Sequence, residues 1–154
     1  MLVTAQVPAV EVSAFWESDG SAQGVSEKQA VLAIVRVLKA DAVEAELLTG
    51  SADIRAASKI LYELGPQEIV ITHRNGVLVY NGDHLHEAGF FPEKLVGRSG
   101  RGDTCLASYM ASRLNAAPAD ATIWAAAVTS LKMEAEGPFR RNMGEVQRLI
   151  RDKY

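Results

Sequence analysis

Residues 97–104 constrain this chain most strongly, because three glycines and two arginines occur there within eight positions. An apolar periodic run at residues 105–114 follows directly and predicts a helix, so the glycine-rich loop opens into a helix start. Glycines let the backbone approach a ligand closely, and the unpaired N–H groups of a first helical turn carry partial positive charge. The pattern therefore predicts a phosphate-binding loop.

Asp103 lies at the predicted start of this helix. A carboxylate there would repel a bound phosphate, unless its role is to accept a proton from an attacking hydroxyl group. We therefore predict that Asp103 is a general base. Structural alternatives stay open, because aspartate is a common helix N-cap and glycine-rich loops often only turn the chain. Residues 101–103 also match an adhesion tripeptide, but three residues recur by chance and nothing else indicates secretion.

Residues 100–104 resemble the second signature of the PfkB/ribokinase family of carbohydrate kinases, whose usual form is D-T-T-G-A-G-D. Two upstream segments resemble the same family in the same order. Residues 41–50 are similar to its N-x-x-E-A-E-x-L-T-G segment, and residues 68–72 are similar to the strand that ends in its nucleotide-contacting threonine. The resemblance extends from about residue 35 to about residue 138, and three motifs in order make it strong.

The resemblance implies a ribokinase-like α/β fold, a three-layer sheet with helices on both faces. It covers only the C-terminal half of the family's chain, since the first half, with the substrate lid, the di-glycine signature and most sugar contacts, is not recognisable. Helical and β-rich runs alternate along the sequence, which agrees with this fold class. We predict strands at residues 10–15, 35–39, 68–72 and 76–80, and helices at 26–35, between 41 and 50, and at 54–64, 105–114, 121–136 and 143–150.

Several helix ends can be predicted from single residues. Asp41 is expected to cap a helix, with Glu44 three residues later completing a capping box and Gly50 ending the helix. Asp120 is the expected N-cap of the helix at 121–136, and residues 151–154 are expected to form a charged tail.

The resemblance also implies roles for the residues of the glycine-rich loop. Asp103 would deprotonate an acceptor hydroxyl, while the backbone N–H groups of Gly100, Arg101 and Gly102 would stabilise charge on the transferring phosphoryl group. Arg101 stands where the family has a small residue, so it either adds a guanidinium to that charge or blocks the loop. Gly97 stands where the family has an aspartate associated with monovalent-cation sites, and we expect no potassium dependence.

Glu44, and Asp41 less so, match family residues that help to hold Mg²⁺ through water near the nucleotide phosphates. Capping is the structural alternative for both side chains.

Thr72 and Gly76 lie in the segment that resembles the family's donor-contacting strand and turn. Arg74 stands where the family has a glycine, and it either pairs with a donor phosphate or is a solvated turn arginine. Ala126 stands where an asparagine commonly lies near the adenine, which weakens the match to an adenine pocket. Phe90 and the phenylalanine after it are expected to face the core.

The chain has 154 residues, a size that predicts a single domain, with the first 25 residues poorly defined. A net charge of −3 predicts no nucleic-acid partner. No apolar run approaches a membrane span and no basic leader is present, so we expect a cytoplasmic protein without a membrane partner. The lone Cys105 is expected to be a buried apolar side chain.

These features predict a kinase that uses ATP and Mg²⁺ to phosphorylate a hydroxyl group of a sugar or polyol. The alternative is a nucleotide-binding remnant without turnover, or one part of a split kinase. Half of a ribokinase-like sheet would leave an uncovered edge and an apolar face. We therefore expect self-association or a partner chain, contacting the strand at 10–15 or a sheet edge at 35–38.

Overall fold

The computed structural model describes residues 9–11, 30–97 and 99–154. These residues belong to two compact units. The first consists of the described residues up to Ile71 together with Tyr80–His84, and the second consists of Thr72–Val79 and the described residues of Leu85–Tyr154. Most of the predicted strand at 10–15 and the start of the predicted helix at 26–35 lie outside the described residues, although residues 30–32 are helical.

The first unit contains strands β1 (Ala9–Glu11), β2 (Val37–Asp41) and the beginning of β3 (Glu68–His73), in the order β1-β2-β3. β1 and β2 are parallel. β2 starts two residues later than predicted. Because β2 lies between β1 and β3, the prediction that residues 35–38 form a sheet edge is wrong.

Helices α1 (Ala42–Thr49) and α2 (Ile54–Glu63) connect β2 to β3, and their N-caps are Asp41, as predicted, and Asp53. Asp41 accepts a hydrogen bond from the Glu44 N–H at 2.8 Å, while Glu44 Oε2 accepts one from the Asp41 N–H at 2.7 Å. This is the predicted capping box. Gly50 ends α1 with φ of 72°, a left-handed conformation that favours glycine.

The second unit contains the end of β3, then β4 (Gly76–Tyr80, whose last residue belongs to the first unit) and β5 (Leu85–Gly89). β3 and β4 are neighbours joined by only Arg74 and Asn75, which requires an antiparallel hairpin, so the sheet is mixed. A Cβ atom at Gly76 would lie 2.3 Å from the Ala88 carbonyl oxygen. Only glycine therefore fits where β4 begins.

Three helices complete the second unit: α3 (Arg101–Arg113), α4 (Pro118–Met133) and α5 (Met143–Lys153). The prediction that Asp120 caps α4 is wrong, because the helix begins at Pro118, and Asp120 lies inside the first turn. Proline is favoured at the first helical position, where its missing N–H needs no partner. α4 ends at Met133, three residues before its predicted end.

The predicted charged tail is instead the last turn of α5, which continues to Lys153. Tyr154 follows it and packs its ring edge-on against Phe91, with 5.3 Å between the ring centroids, while its hydroxyl donates to the Gly89 carbonyl oxygen. Burial raises the pKa of Tyr154 to about 12, against the opposing effect of a hydrogen bond with Ser130. The C-terminal residue is thus part of the packed unit.

Candidate phosphate-binding site

The glycine-rich loop ends at Gly100, which is the N-cap of α3 and has φ of 70° and ψ of 15°. The helix therefore begins at Arg101, four residues earlier than the apolar run predicts. The first intrahelical bond runs from the Thr104 N–H to the Gly100 carbonyl oxygen at 3.0 Å. The N–H groups of Arg101, Gly102 and Asp103 precede that bond, so none of them has an intrahelical acceptor. Among the residues that the structure describes, no side chain caps this helix start.

Asp103 is the third residue of α3, and its side chain is exposed. The interpretation of Asp103 as the N-cap is wrong, because Gly100 occupies that position. Its Oδ2 atom lies 3.9 Å from the point that a Cβ atom of Gly100 would occupy. The carboxylate thus borders the loop without capping the helix.

Gly97 fixes the other end of the loop to the end of α4. The N–H groups of Val96 and Gly97 both donate to the Met133 carbonyl oxygen, at 2.9 and 3.1 Å. A Cβ atom at Gly97 would lie 2.7 Å from the Ala135 carbonyl oxygen. This close approach of two backbone segments accounts for a glycine where the resembling family has an aspartate.

Beside α3, the second unit contains a cavity of about 390 Å³. Two arginines and a group of aromatic and aliphatic side chains line it: Arg74, Arg101, Phe90, Phe91, Pro92, Leu95 and Met133, with Asn75 and Gly89. The Arg101 guanidinium carbon lies 6.0 Å from the centroid of the Phe90 ring, within the range of a cation–π contact. An apolar wall with two cations suits a ligand that has both a flat apolar part and an anionic part.

The aromatic wall of the cavity is held by backbone hydrogen bonds. Phe90 donates its N–H to the Asn75 carbonyl oxygen at 2.7 Å, and Phe91 donates to Ser130 Oγ at 2.9 Å. The prediction that both phenylalanines face the core is wrong, since Phe91 is 40% exposed. The next turn is anchored by Glu134, whose carboxylate accepts from the Glu93 N–H at 2.9 Å and from Arg141 at 3.2 Å.

His73 lies at the end of β3, close to this cavity. Burial lowers its pKa from the ordinary value, and the positive charge of Arg101 lowers the pKa further, while Glu87 acts in the opposite direction. Burial and the charge of Arg101 thus both favour the neutral form of His73.

The three predicted donor contacts are placed differently from one another. Arg74 is exposed and lines the cavity. Thr72 is only 1% exposed and Gly76 is buried against β5, and neither is among the residues that line the cavity. Their roles as donor contacts stay predictions.

Asp41 and Glu44 lie in the first unit, where each carboxylate gives one oxygen to the capping box. Each retains a second oxygen that can bind a metal-bound water, so the capping and the metal interpretations are compatible. Mg²⁺ usually keeps several waters and uses one or two carboxylates, and this donor set fits that preference. Within the described residues, no group of three or more His, Cys, Asp or Glu side chains could hold a metal ion directly.

Sequence reasoning missed Lys132, which is 3% exposed in the last turn of α4. Its Cε atom lies 3.9 Å from the same Cβ point of Gly100 that Asp103 borders. A lysine within a run of small and apolar residues was the available signal, because buried lysines are rare unless they have a partner.

The fold and the site together define an α/β protein with a candidate phosphate-binding site at a helix start. The family model described as pfkB family carbohydrate kinase matches residues 12–140, and the chain belongs to that family. The comparison with curated proteins gave no match. Within the described residues, no helix could cross a membrane.

Solved structures of the ribokinase family share this fold. A pyrophosphate-dependent kinase of that family, complexed with a pyrophosphate analog and myo-inositol, is 38% identical, with a TM-score of 0.72 over 80% of this chain and 44% of its own. An Arabidopsis thaliana ribokinase complexed with ribose and ATP is 21% identical, with a TM-score of 0.72 over 79% of this chain and 43% of its own.

An E. coli protein described as ribokinase II, in complex with ATP and Mg²⁺, is 20% identical, with a TM-score of 0.73 over 84% of this chain and 44% of its own. The predicted ribokinase-like α/β fold is thus confirmed, and the chain spans less than half the length of these structures.

Proposed function

We propose that this chain is part of a kinase that transfers a phosphoryl group to a hydroxyl group of a sugar or polyol. In this kinase the chain binds the phosphoryl donor and supplies the general base. The observation that carries the proposal is the start of α3, where Gly100 caps the helix and Asp103 stands exposed beside it. Three N–H groups without intrahelical acceptors and a carboxylate at one point suit phosphoryl transfer, which needs a stabilised anion and a base.

In this proposal Asp103 accepts the proton of the acceptor hydroxyl. The N–H groups of Gly100, Arg101 and Gly102 stabilise the negative charge of the transferring group, because they are oriented before the reaction and belong to a helix N-terminus. Arg101 lines the adjacent cavity, so its guanidinium can also bind a donor oxygen.

Mg²⁺, when bound, would neutralise charge on the donor phosphates. Glu44 is the proposed metal-linked residue and Asp41 the weaker one, each through water and through the carboxylate oxygen that the capping box leaves available.

ATP is the first candidate donor, with Thr72, Arg74 and Gly76 as the proposed contacts of the nucleotide. The cavity lined by Arg101 has apolar walls that suit the adenine ring of ATP, and two related ribokinase structures contain ATP. Inorganic pyrophosphate is a second candidate. It is favoured by the higher identity, 38%, to a pyrophosphate-dependent kinase, and by Ala126 in place of the family's asparagine.

We expect the correct donor to raise the melting temperature of the chain, since a ligand that binds only the folded state stabilises it by mass action. The measurement is thermal unfolding with Mg²⁺ and millimolar ATP, ADP or pyrophosphate, with orthophosphate and adenosine as controls. A donor present at about 100 times its Kd should add about 2.7 kcal/mol to the free energy of unfolding. If no donor shifts the midpoint, the proposed function fails.

The acceptor is proposed to be a sugar or a cyclic polyol, as the resemblance implies. Related structures hold ribose or myo-inositol, but the match covers only 44% and 43% of those proteins. Further contacts to the acceptor are therefore proposed to come from residues that this sequence does not contain. A nucleotide-binding remnant, or one part of a split kinase, is the alternative that an assay with ATP and a panel of sugars and polyols would test.

We expect the isolated chain to self-associate or to require a partner to stay soluble. On α1, Val43 and Leu47 are four residues apart on one face, and both are exposed. Light scattering at micromolar concentration should show species larger than 16.6 kDa. Leu47→Glu should reduce their population, whereas Leu114→Glu, at an exposed site on the other unit, should not. A soluble monomer without dye-binding apolar surface would contradict this expectation.

A further inference from the structure

The Lys132 Nζ atom is buried and has no hydrogen-bond partner among the described residues. The residue is 3% exposed, in a helix whose other buried positions are small or apolar. Burying an ammonium group without a partner is costly, so an unpartnered buried lysine calls for an explanation, and binding of an anionic ligand is one.

The position of the Lys132 side chain connects it to the start of α3. Its Cε atom and Asp103 Oδ2 each lie 3.9 Å from the Cβ point of Gly100, on a loop whose first residues are bonded to the Met133 carbonyl. The helix that carries Lys132 is therefore joined to the loop by backbone hydrogen bonds at the very next residue. The end of the Lys132 side chain therefore lies close to the N-terminus of α3.

Neighbouring carboxylates do not neutralise Lys132. Among the described residues no salt bridge joins it to Asp103, although both border Gly100. Glu134, two residues along the chain, accepts hydrogen bonds from Glu93 and Arg141 instead. The positive charge of Lys132 is thus available to a ligand at a place where helix N–H groups also converge.

We propose that Lys132 binds the phosphoryl oxygens of the donor at the start of α3, as a donor-binding residue that the glycine-rich signature does not contain. The proposal rests on the proposed function, and it concerns the pyrophosphate group that ATP and inorganic pyrophosphate share. A point charge that is buried before the ligand arrives loses little further solvation on binding, which is why such a lysine can contribute strongly.

The test compares Lys132→Met with the wild-type chain and with Lys94→Met, which removes the same charge from an exposed loop position. Affinity for pyrophosphate, MgADP and adenosine is measured by calorimetry, and the melting temperature is measured without ligand. We expect Lys132→Met to lower the affinity for pyrophosphate and for MgADP about 10- to 100-fold and to leave the affinity for adenosine unchanged. Its unliganded melting temperature should stay the same or rise, because an unpaired buried charge is removed. Lys94→Met should change none of these quantities.

The outcomes separate this proposal from the proposed function. If the wild-type chain binds pyrophosphate or MgADP and Lys132→Met binds it equally well, the role of Lys132 is overturned while the proposed function stands. If Lys132→Met lowers the melting temperature without ligand, and lowers the affinity for adenosine as much as that for MgADP, Lys132 has a structural role and the proposal is overturned. If the wild-type chain binds no donor, the proposed function fails and the role of Lys132 fails with it. If Lys132→Met loses affinity for pyrophosphate but keeps its affinity for MgADP, inorganic pyrophosphate is the donor that Lys132 binds.

Discussion

Replacing Asp103 by asparagine is expected to lower turnover by roughly 10²–10⁴-fold in whichever form of the protein is active, the isolated chain or its complex with a partner. Asparagine keeps the size and the helix position of the side chain but cannot accept a proton at neutral pH. Donor affinity should stay the same or rise slightly, because a negative charge beside the phosphates is removed. Turnover is measured with saturating donor and acceptor, and donor affinity is measured by calorimetry.

Asp120 offers a matched control for this substitution. It is the third residue of α4, as Asp103 is the third residue of α3, and both side chains are exposed. Asp120→Asn therefore removes the same charge from the same place on a helix, with the same small loss of interaction with the helix dipole. Turnover should be unchanged in Asp120→Asn. If Asp103→Asn behaved like this control, Asp103 would have no role as a base.

Introducing the family's aspartate at Gly97 is expected to destabilise the protein and to weaken donor binding. The first atom of any side chain at this position would lie 2.7 Å from the Ala135 carbonyl oxygen, closer than real contacts permit. Overpacking of this kind costs about 1–3 kcal/mol. To relieve it, the hydrogen bonds of Val96 and Gly97 to Met133 must lengthen, which moves the loop that leads to Gly100.

Gly97→Ala and Ser99→Asp separate the steric effect of this substitution from its charge. Gly97→Ala should lower the melting temperature nearly as much as Gly97→Asp, because the clash begins at Cβ. Ser99 is exposed, so Ser99→Asp should keep the wild-type melting temperature and weaken only the binding of the anionic donor. A Gly97→Asp variant with wild-type stability would show that the loop can move without loss, and the anchoring role of Gly97 would be wrong.

The local features of this protein follow from signals within a few consecutive residues. The capping box of Asp41 and Glu44 depends on two side chains three residues apart, and the stop at Gly50 depends on a left-handed conformation that glycine adopts easily. β4 was predicted with its observed bounds, Gly76–Tyr80, because a β-rich run lies between two turn signals. The glycine-rich loop before a helix was likewise visible, since its signal is contained in a few consecutive residues.

The start of α3 shows where local signals became ambiguous. Asp103 and Gly100 are both good N-caps, and the apolar periodicity of the sequence does not distinguish a helix that begins at Arg101 from one that begins later. The structure assigns the cap to Gly100, and this leaves the Asp103 carboxylate exposed beside the loop. That single choice decides whether the carboxylate is used to hold the helix or is available for chemistry.

The side chains that converge on the candidate site are brought together by long-range packing. Phe91 lines a cavity and is not buried in the core, because two distant residues contact it. Its N–H donates to Ser130, 39 residues further along the chain, and its ring packs against Tyr154, 63 residues further along. Lys132 lies beside Gly100 because the loop is bonded to the end of α4. Contacts between residues so far apart leave no periodic or motif signal, since each depends on how whole helices pack rather than on neighbouring residues.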